Sequence, residues 1–274
     1  MRHLSIAKDE PGIQREAAGT GVVYLVGAGP GDPELLTLKA ARLLAQADVV
    51  VYDNLVSPGV ISLIHNGAEK IYVGKQTHRH TLPQAEINQM LVTLARDGKK
   101  VIRLKGGDPF IFGRGGEEVE HLQAAGLKVE VVNGITAGLA AVTSLGVPLT
   151  HRLHAHGVVF VTGHAKPGDT GTDWAALAAT AAQARLTLVI YMGVTGSQHI
   201  QDELLRGLAA STHVAIIQDA SLPTQRHAVT TLGKLRTTIE RERLQSPSVI
   251  VIGDVLKGVA ALGAGDAAVL RDFG

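Results

Sequence analysis

The chain reads as an α/β protein of two domains, the first on a mainly parallel sheet and the second on a mixed one. Three observations predict this. Short β-branched runs alternate with longer helical patterns through the first half, the signature of strands joined by helical crossovers. An uncharged stretch over 131–150 then interrupts the alternation, and beyond it the last three apolar runs suit a mixed sheet better than strict βαβ units. Finally, 274 residues suffice for one large or two modest domains, either with a core of its own.

Taken in order, residues 22–26 form the first expected strand. A helix follows, capped by Asp32 with Pro33 at its first position, and Leu35, Leu36, Leu38, Ala41, Leu43 and Leu44 are its packing residues. Residues 48–52 and 70–73 are the second and third strands. Thr81 and Gln84 have capping-box spacing, and Ile87, Met90, Leu91 and Leu94 continue an apolar helical face that ends near Gly98. Residues 100–105 make the fourth strand, a helix starts at about Glu117, and residues 128–132 make the fifth strand. The second series comprises residues 158–162, 186–191, 213–218, 228–232 and 249–252. A boundary near Gly134 gives a first domain over 21–134 and a second over 135–258, with loose tails at 1–20 and 259–274.

Composition excludes several function classes. A net charge of +1 and an aromatic content of 3% supply neither the electrostatic footprint nor the stacking platform of a nucleic-acid binder. The absence of cysteine rules out a disulfide scaffold, a thiol nucleophile, a thiolate metal site and an iron–sulfur cluster. Residues 1–20 carry scattered charges and no apolar block, so no signal peptide is expected and a cytoplasmic location is. The uncharged stretch is long enough to cross a bilayer, but Asn133, Gly134, Gly138, Ser144, Gly146 and Pro148 break it, so no membrane partner is expected. His78/His80 and His154/His156 are spaced like metal-ligand pairs, yet no third-ligand motif accompanies them, and no metal is expected.

Two glycine-rich segments follow strands. In Gly27-Ala28-Gly29-Pro30-Gly31-Asp32, Asp32 stands where a dinucleotide fingerprint needs its third glycine, and Pro30 lacks an amide for a phosphate. A Walker loop is absent too, because Gln76 follows Gly74-Lys75 and Glu69 replaces the first glycine. The first loop therefore reads either as a tight strand-to-helix turn or as backbone brought close to a ligand without a phosphate. The second segment, RLKGGDPFIFGRGGEE over 103–118, has more glycine and charge than a connection needs. Arg114 could grip a carboxylate through parallel hydrogen bonds, or simply pair with Glu117 at a helix start.

These segments, together with VVYDNLV, GKQ, PQAEIN, GITAG, GVPLTHR, VTGH, TLVIYMG and SVIVIGDV, occur in one order over about 22–255. In this the chain resembles the S-adenosylmethionine-dependent tetrapyrrole methyltransferases. The resemblance implies two α/β domains with the methyl donor folded into a trough between them, in a homodimer. It also implies transfer of methyl groups from S-adenosylmethionine to carbons 2 and 7 of uroporphyrinogen III, giving precorrin-2 by way of precorrin-1. Carried over residue by residue, the donor contacts are Pro30, Gly106, Gly107, Asp108, Ile111, Thr136, Ala137, Met192 and Ala220. Asp53 falls at the family's proton acceptor and Lys75 at its proton donor, while Arg114, Glu117 and Arg152 face the substrate.

Bland readings stand beside these roles. Asp53, directly after the second strand, also suits a cap on the next turn or a ribose partner, and Lys75 a substrate-carboxylate partner. Met192 also suits core filling. A polycarboxylate substrate is ionised near neutrality, so cations must meet it; Arg79, His80 and His151 are further rim candidates. Two departures from the family pattern are Gln76, which removes a cation, and Asn133, expected to loosen the turn presenting Thr136 and Ala137. The competing functions are a methyltransferase of the same fold acting on a later corrinoid precursor and, disfavoured by Asp32 and Pro30, a dinucleotide-dependent oxidoreductase.

Overall fold

The computed structural model describes residues 21–74, 82–164 and 171–257. The first sheet contains β1 (Val23–Gly27), β2 (Val49–Tyr52), β3 (Glu69–Tyr72), β4 (Val101–Lys105) and β5 (Val129–Val132), all parallel, in the order β3-β2-β4-β1-β5. Its helices are α1 (Leu38–Leu44), α2 (Pro58–Ile61), α3 (Gln84–Arg96) and α4 (Gly115–Ala124). Strand β4 is buried along its whole length, as a central strand covered on both faces must be. One face packs Val26, Val50, Ile102 and Leu104 against Ala40, Leu43 and Leu44 of α1. The other packs the strand residues of opposite parity, Leu25, Val51 and Val101, against Ile87, Leu91 and Leu122 of α3 and α4.

This strand order gives the sheet a topological switch point. The chain leaves β2 toward β3, whereas it leaves the adjacent β4 toward β5, in the opposite direction and over the other face. Adjacent parallel strands whose connections diverge in this way open a crevice at their carboxyl ends. The second glycine-rich segment leaves β4 there, with Gly106 against Leu55 after β2, and the first follows β1 on the other side of β4.

The second sheet contains β6 (Gly157–Thr162), β7 (Leu186–Tyr191), β8 (His213–Gln218), β9 (Arg226–Thr231) and β10 (Ser248–Ile252), in the order β6-β7-β10-β8-β9. Only β6 and β7 run parallel, so the sheet is mixed, as expected. Helices α6 (Trp174–Ala184), α7 (Ser197–Leu204) and α8 (Leu235–Glu242) cover one face, while α5 (Ala137–Thr143) lies on the other through Ala141 and Val142.

Two helix expectations need correction. The pattern from Asp32 to Leu44 is not one helix. Asp32 caps only the 3-10 turn Pro33–Leu35, Leu36 is extended, and Thr37 makes a second cap by accepting the Ala40 N–H at 3.2 Å. Leu38 therefore does not pack and is 91% exposed. The other correction concerns the capping box. Thr81 lies outside the described residues, α3 starts after Pro83 without a side-chain cap, and Gln84 sends its amide elsewhere. The helix does end at Arg96, and Gly98 takes the left-handed turn beyond it at φ 78°.

Candidate active site

The first glycine loop is stitched to the second. Gly107 donates its N–H to the Gly29 carbonyl at 2.7 Å, Gly29 returns one to Gly107 at 3.2 Å, and Ala28 donates to the Lys105 carbonyl at 2.7 Å. A Cβ on Gly27 would lie 2.6 Å from both the Gly107 oxygen and the Gly134 Cα, backbone atoms that cannot swing aside. The Asp32 carboxylate is turned away to cap Glu34 N at 2.9 Å, and its N–H donates to Ser221 Oγ at 3.1 Å. That bond, with Leu222 packed against Gly31, brings the Pro30 loop beside Ala220 of the second domain.

Asp108 is a clamp. Its Oδ1 accepts Phe110 N at 2.8 Å, and its Oδ2 accepts both Asn133 Nδ2 and Gly134 N at 3.1 Å. Asn133 thus ties down the turn before Thr136, where loosening was expected: its amide supplies a donor to a buried carboxylate that has room for one more. Gly107 lies opposite Thr136 and Ala137, about 3.9 Å from where its own Cβ would be. Gly106 is pressed against Leu55, so the turn after β2 joins the same floor. Ile111 is half-buried, between Phe110 and Phe112, which are 53% and 40% exposed.

On the facing domain, Tyr191 ends β7 and its ring meets Phe112 at a centroid distance of 5.0 Å. Met192 follows at φ 54° and is 48% exposed, which removes the core-filling reading. Phe112, Arg114, Met192, Asp219 and Ser221 all have positive φ without being glycine. Such backbone strain gathers at functional sites.

The charged residues divide into two groups. Asp53 Oδ1 accepts the Leu55 N–H at 3.1 Å, the turn cap foreseen as its bland reading, while Oδ2 lies 3.4 Å from Arg103 Nη2. Arg103 belongs to a buried cluster that the sequence did not single out. Glu118, fully buried on α4, accepts at Oε1 from Arg103 Nε at 3.1 Å, Lys105 Nζ at 3.2 Å and Gln84 Nε2 at 2.9 Å. Burial holds the Lys105 ammonium below the usual lysine range; Arg103 adds to that push, and Glu118 and Asp53 oppose it. The signal available was Arg103 and Lys105, two cations at a spacing of two in a central strand, hence on one face, which demands a buried anion.

Arg114 and Glu117, by contrast, are exposed and pair with each other through Nε–Oε1 at 3.0 Å and Nη2–Oε2 at 2.6 Å. Arg152 is exposed in the turn closed by the His151–Ala155 bridge and makes no ion pair among the described residues. Lys75, Gln76, His78, Arg79 and His80 lie outside the described residues. His151 stacks on His154 at 4.6 Å, and among the described residues no group of three or more acidic or histidine side chains could hold a metal ion. No helix among the described residues is long and apolar enough to cross a membrane.

A parallel and a mixed five-stranded sheet, with the first sheet's paired glycine loops touching loops of the second, match a known class. Residues 22–236 match the family model Tetrapyrrole (Corrin/Porphyrin) Methylases, and the chain belongs to that family. Among curated proteins it is 53% identical over 238 residues to a siroheme synthase of Azotobacter vinelandii, covering 86% of this chain and 50% of that one. It thus spans about half the length of the curated relatives it matches. Among solved structures, uroporphyrin-III C-methyl transferase from Thermus thermophilus complexed with S-adenyl homocysteine is 43% identical, with a TM-score of 0.74 over 87% of this chain and 100% of that chain. A cobalt precorrin-4 methyltransferase is 27% identical, with a TM-score of 0.76 over 89% of this chain and 99% of that one.

Proposed function

We propose that the chain transfers methyl groups from S-adenosylmethionine to carbons 2 and 7 of uroporphyrinogen III, forming precorrin-2 by way of precorrin-1 and releasing S-adenosylhomocysteine. The observation that carries the reading is the convergence of Pro30, Gly106, Gly107, Thr136 and Ala137 on one backbone floor, with Ala220 and Met192 on the loops facing it. Backbone amides and carbonyls without intervening side chains suit a flat nucleoside, and the withdrawn Asp32 carboxylate with the missing Pro30 amide suits a ligand lacking phosphates. The higher identity to a uroporphyrin-III enzyme than to a precorrin-4 enzyme supports the earlier substrate.

The methyl donor, when bound, supplies an electrophilic carbon on a sulfonium. A pyrrole carbon conjugated with its ring nitrogen is enamine-like and attacks without prior deprotonation, so this chain's first task is alignment, which can supply about 7–11 kcal/mol of a barrier. Its second task is to take up the proton lost by the methylated ring. We assign that to Asp53, whose carboxylate lies beside Arg103 and passes the proton on to water, and assign to Lys75 proton donation in a tautomer shift of the ring, where one position gains a proton as another loses one. Arg114 and Arg152 meet the substrate carboxylates. The bonds to Glu117 occupy two of the N–H groups of Arg114 and leave the rest for an anion. Cytoplasmic location and a homodimer complete the reading.

The decisive experiment incubates the protein anaerobically with S-adenosylmethionine and uroporphyrinogen III and follows mass and chromophore. Two added methyl groups are expected; no gain on this macrocycle, with methylation of a later corrinoid instead, would reassign the substrate. In the same assay R114L and R152L should each raise the porphyrinogen KM by about ten-fold, the scale of a lost charge-assisted bond. S-Adenosylhomocysteine affinity should not change, and unaltered turnover at subsaturating porphyrinogen removes that arginine from the substrate site.

A further inference from the structure

Thr136 stands at the N-cap of α5 with extended backbone, φ −72° and ψ 145°, yet makes no cap bond. A threonine there ordinarily accepts the N–H of the second or third helical residue. Here the Gly138 N–H goes to Tyr191 Oη at 2.7 Å, and the same oxygen lies 2.6 Å from Thr136 Oγ1. A residue distant in sequence has taken over the cap.

The exchange has a consequence for the threonine hydrogen. Burial keeps the Tyr191 phenol above its ordinary pKa, so it retains its proton while accepting from Gly138. Donated to Thr136 Oγ1, that proton is satisfied and the Thr136 hydrogen is released for another acceptor. The reverse arrangement leaves the phenol proton without an acceptor among the described residues. The ring has little freedom to do otherwise, since Phe112 packs at 5.0 Å and Phe160 meets it edge-on at 6.1 Å. Gly138 makes the approach possible: a Cβ there would overlap the phenol oxygen and lie 2.7 Å from Val189 Cγ1.

We propose that Tyr191 is a positioning residue for the methyl donor, directing the Thr136 hydroxyl hydrogen toward a polar acceptor on the nucleoside-bearing ligand. The inference rests on the donor-binding reading given above. Its test is calorimetric titration of S-adenosylhomocysteine into wild type, Y191F, T136V, T136S and the Y191F/T136V double variant. Y191F and T136V should each weaken binding by about ten-fold, as loss of one buried hydrogen bond does. T136S, which keeps the hydroxyl, should bind like wild type. The double variant should bind no more weakly than either single one, a coupling that a merely structural tyrosine would not show. Wild-type affinity in Y191F, or losses that multiply in the double variant, overturns the proposal alone. Absence of binding by the wild type overturns the donor reading beneath it.

Discussion

E118Q should lower the unfolding free energy by about 3–5 kcal/mol, the usual cost of removing one partner from a buried ion pair. Glu118 is fully buried and faces Arg103 and Lys105, each only 4% exposed. Glutamine keeps the acceptor oxygen but deletes the charge, so two cations remain together with only Asp53 nearby. The variant K105M/E118Q removes one cation along with the anion and should recover a large part of the loss. The pH dependence follows from the sign of the lysine shift. With its pKa already held below the usual value, Lys105 loses a raising influence when Glu118 is neutralised. The unfolded chain then binds more protons than the folded one between the depressed value and the ordinary lysine pKa, so E118Q should regain stability as pH rises through that window. Urea titrations at neutral and alkaline pH measure both effects; an unchanged midpoint for E118Q at neutral pH would refute the assignment of the cluster.

On the proposed role of Asp53 as proton acceptor, D53N should reduce turnover about 10²-fold or more, the scale of a deleted general base. The substitution is chosen for its economy of change. An asparagine oxygen can still accept the Leu55 N–H, so the turn that presses Leu55 against Gly106 persists. What disappears is the ability to accept a proton and the ion pair with Arg103. Affinity for S-adenosylhomocysteine should stay within about two-fold, because the retained turn keeps Leu55 packed on Gly106, in the loop proposed to bind the donor. Wild-type turnover in D53N would move the proton transfer to another group and leave Asp53 with its turn-capping role.

The ten strands were legible because each is a β-branched run bounded by turn residues, and the mixed character of the second sheet followed from their spacing. The break at Leu36 and Thr37 was not. Asp32 and Pro33 announce a helix start strongly enough to mask a second cap at Thr37, whose only sign is a hydroxyl placed three residues before Ala40. Close backbone packing was legible in the glycine loops, whereas their direct pairing was not, since pairing between loops from different strands leaves no local trace. Glu118, Gln84 and Tyr191 were missed for the same reason: each acts on a residue from another element, Glu118 and Gln84 within the first domain and Tyr191 within the second. The bond from Asn133 was not foreseen because its partner, Asp108, lies 25 residues away in sequence.

The reciprocal bonds between Gly29 and Gly107 make the two loops a single mechanical unit. Neither can be exchanged, shortened or redesigned alone, because a change of path in one strands a donor and an acceptor in the other. A chimaera that imports one loop from a relative should therefore fail where one importing both succeeds, and altered ligand preference should be sought in paired substitutions.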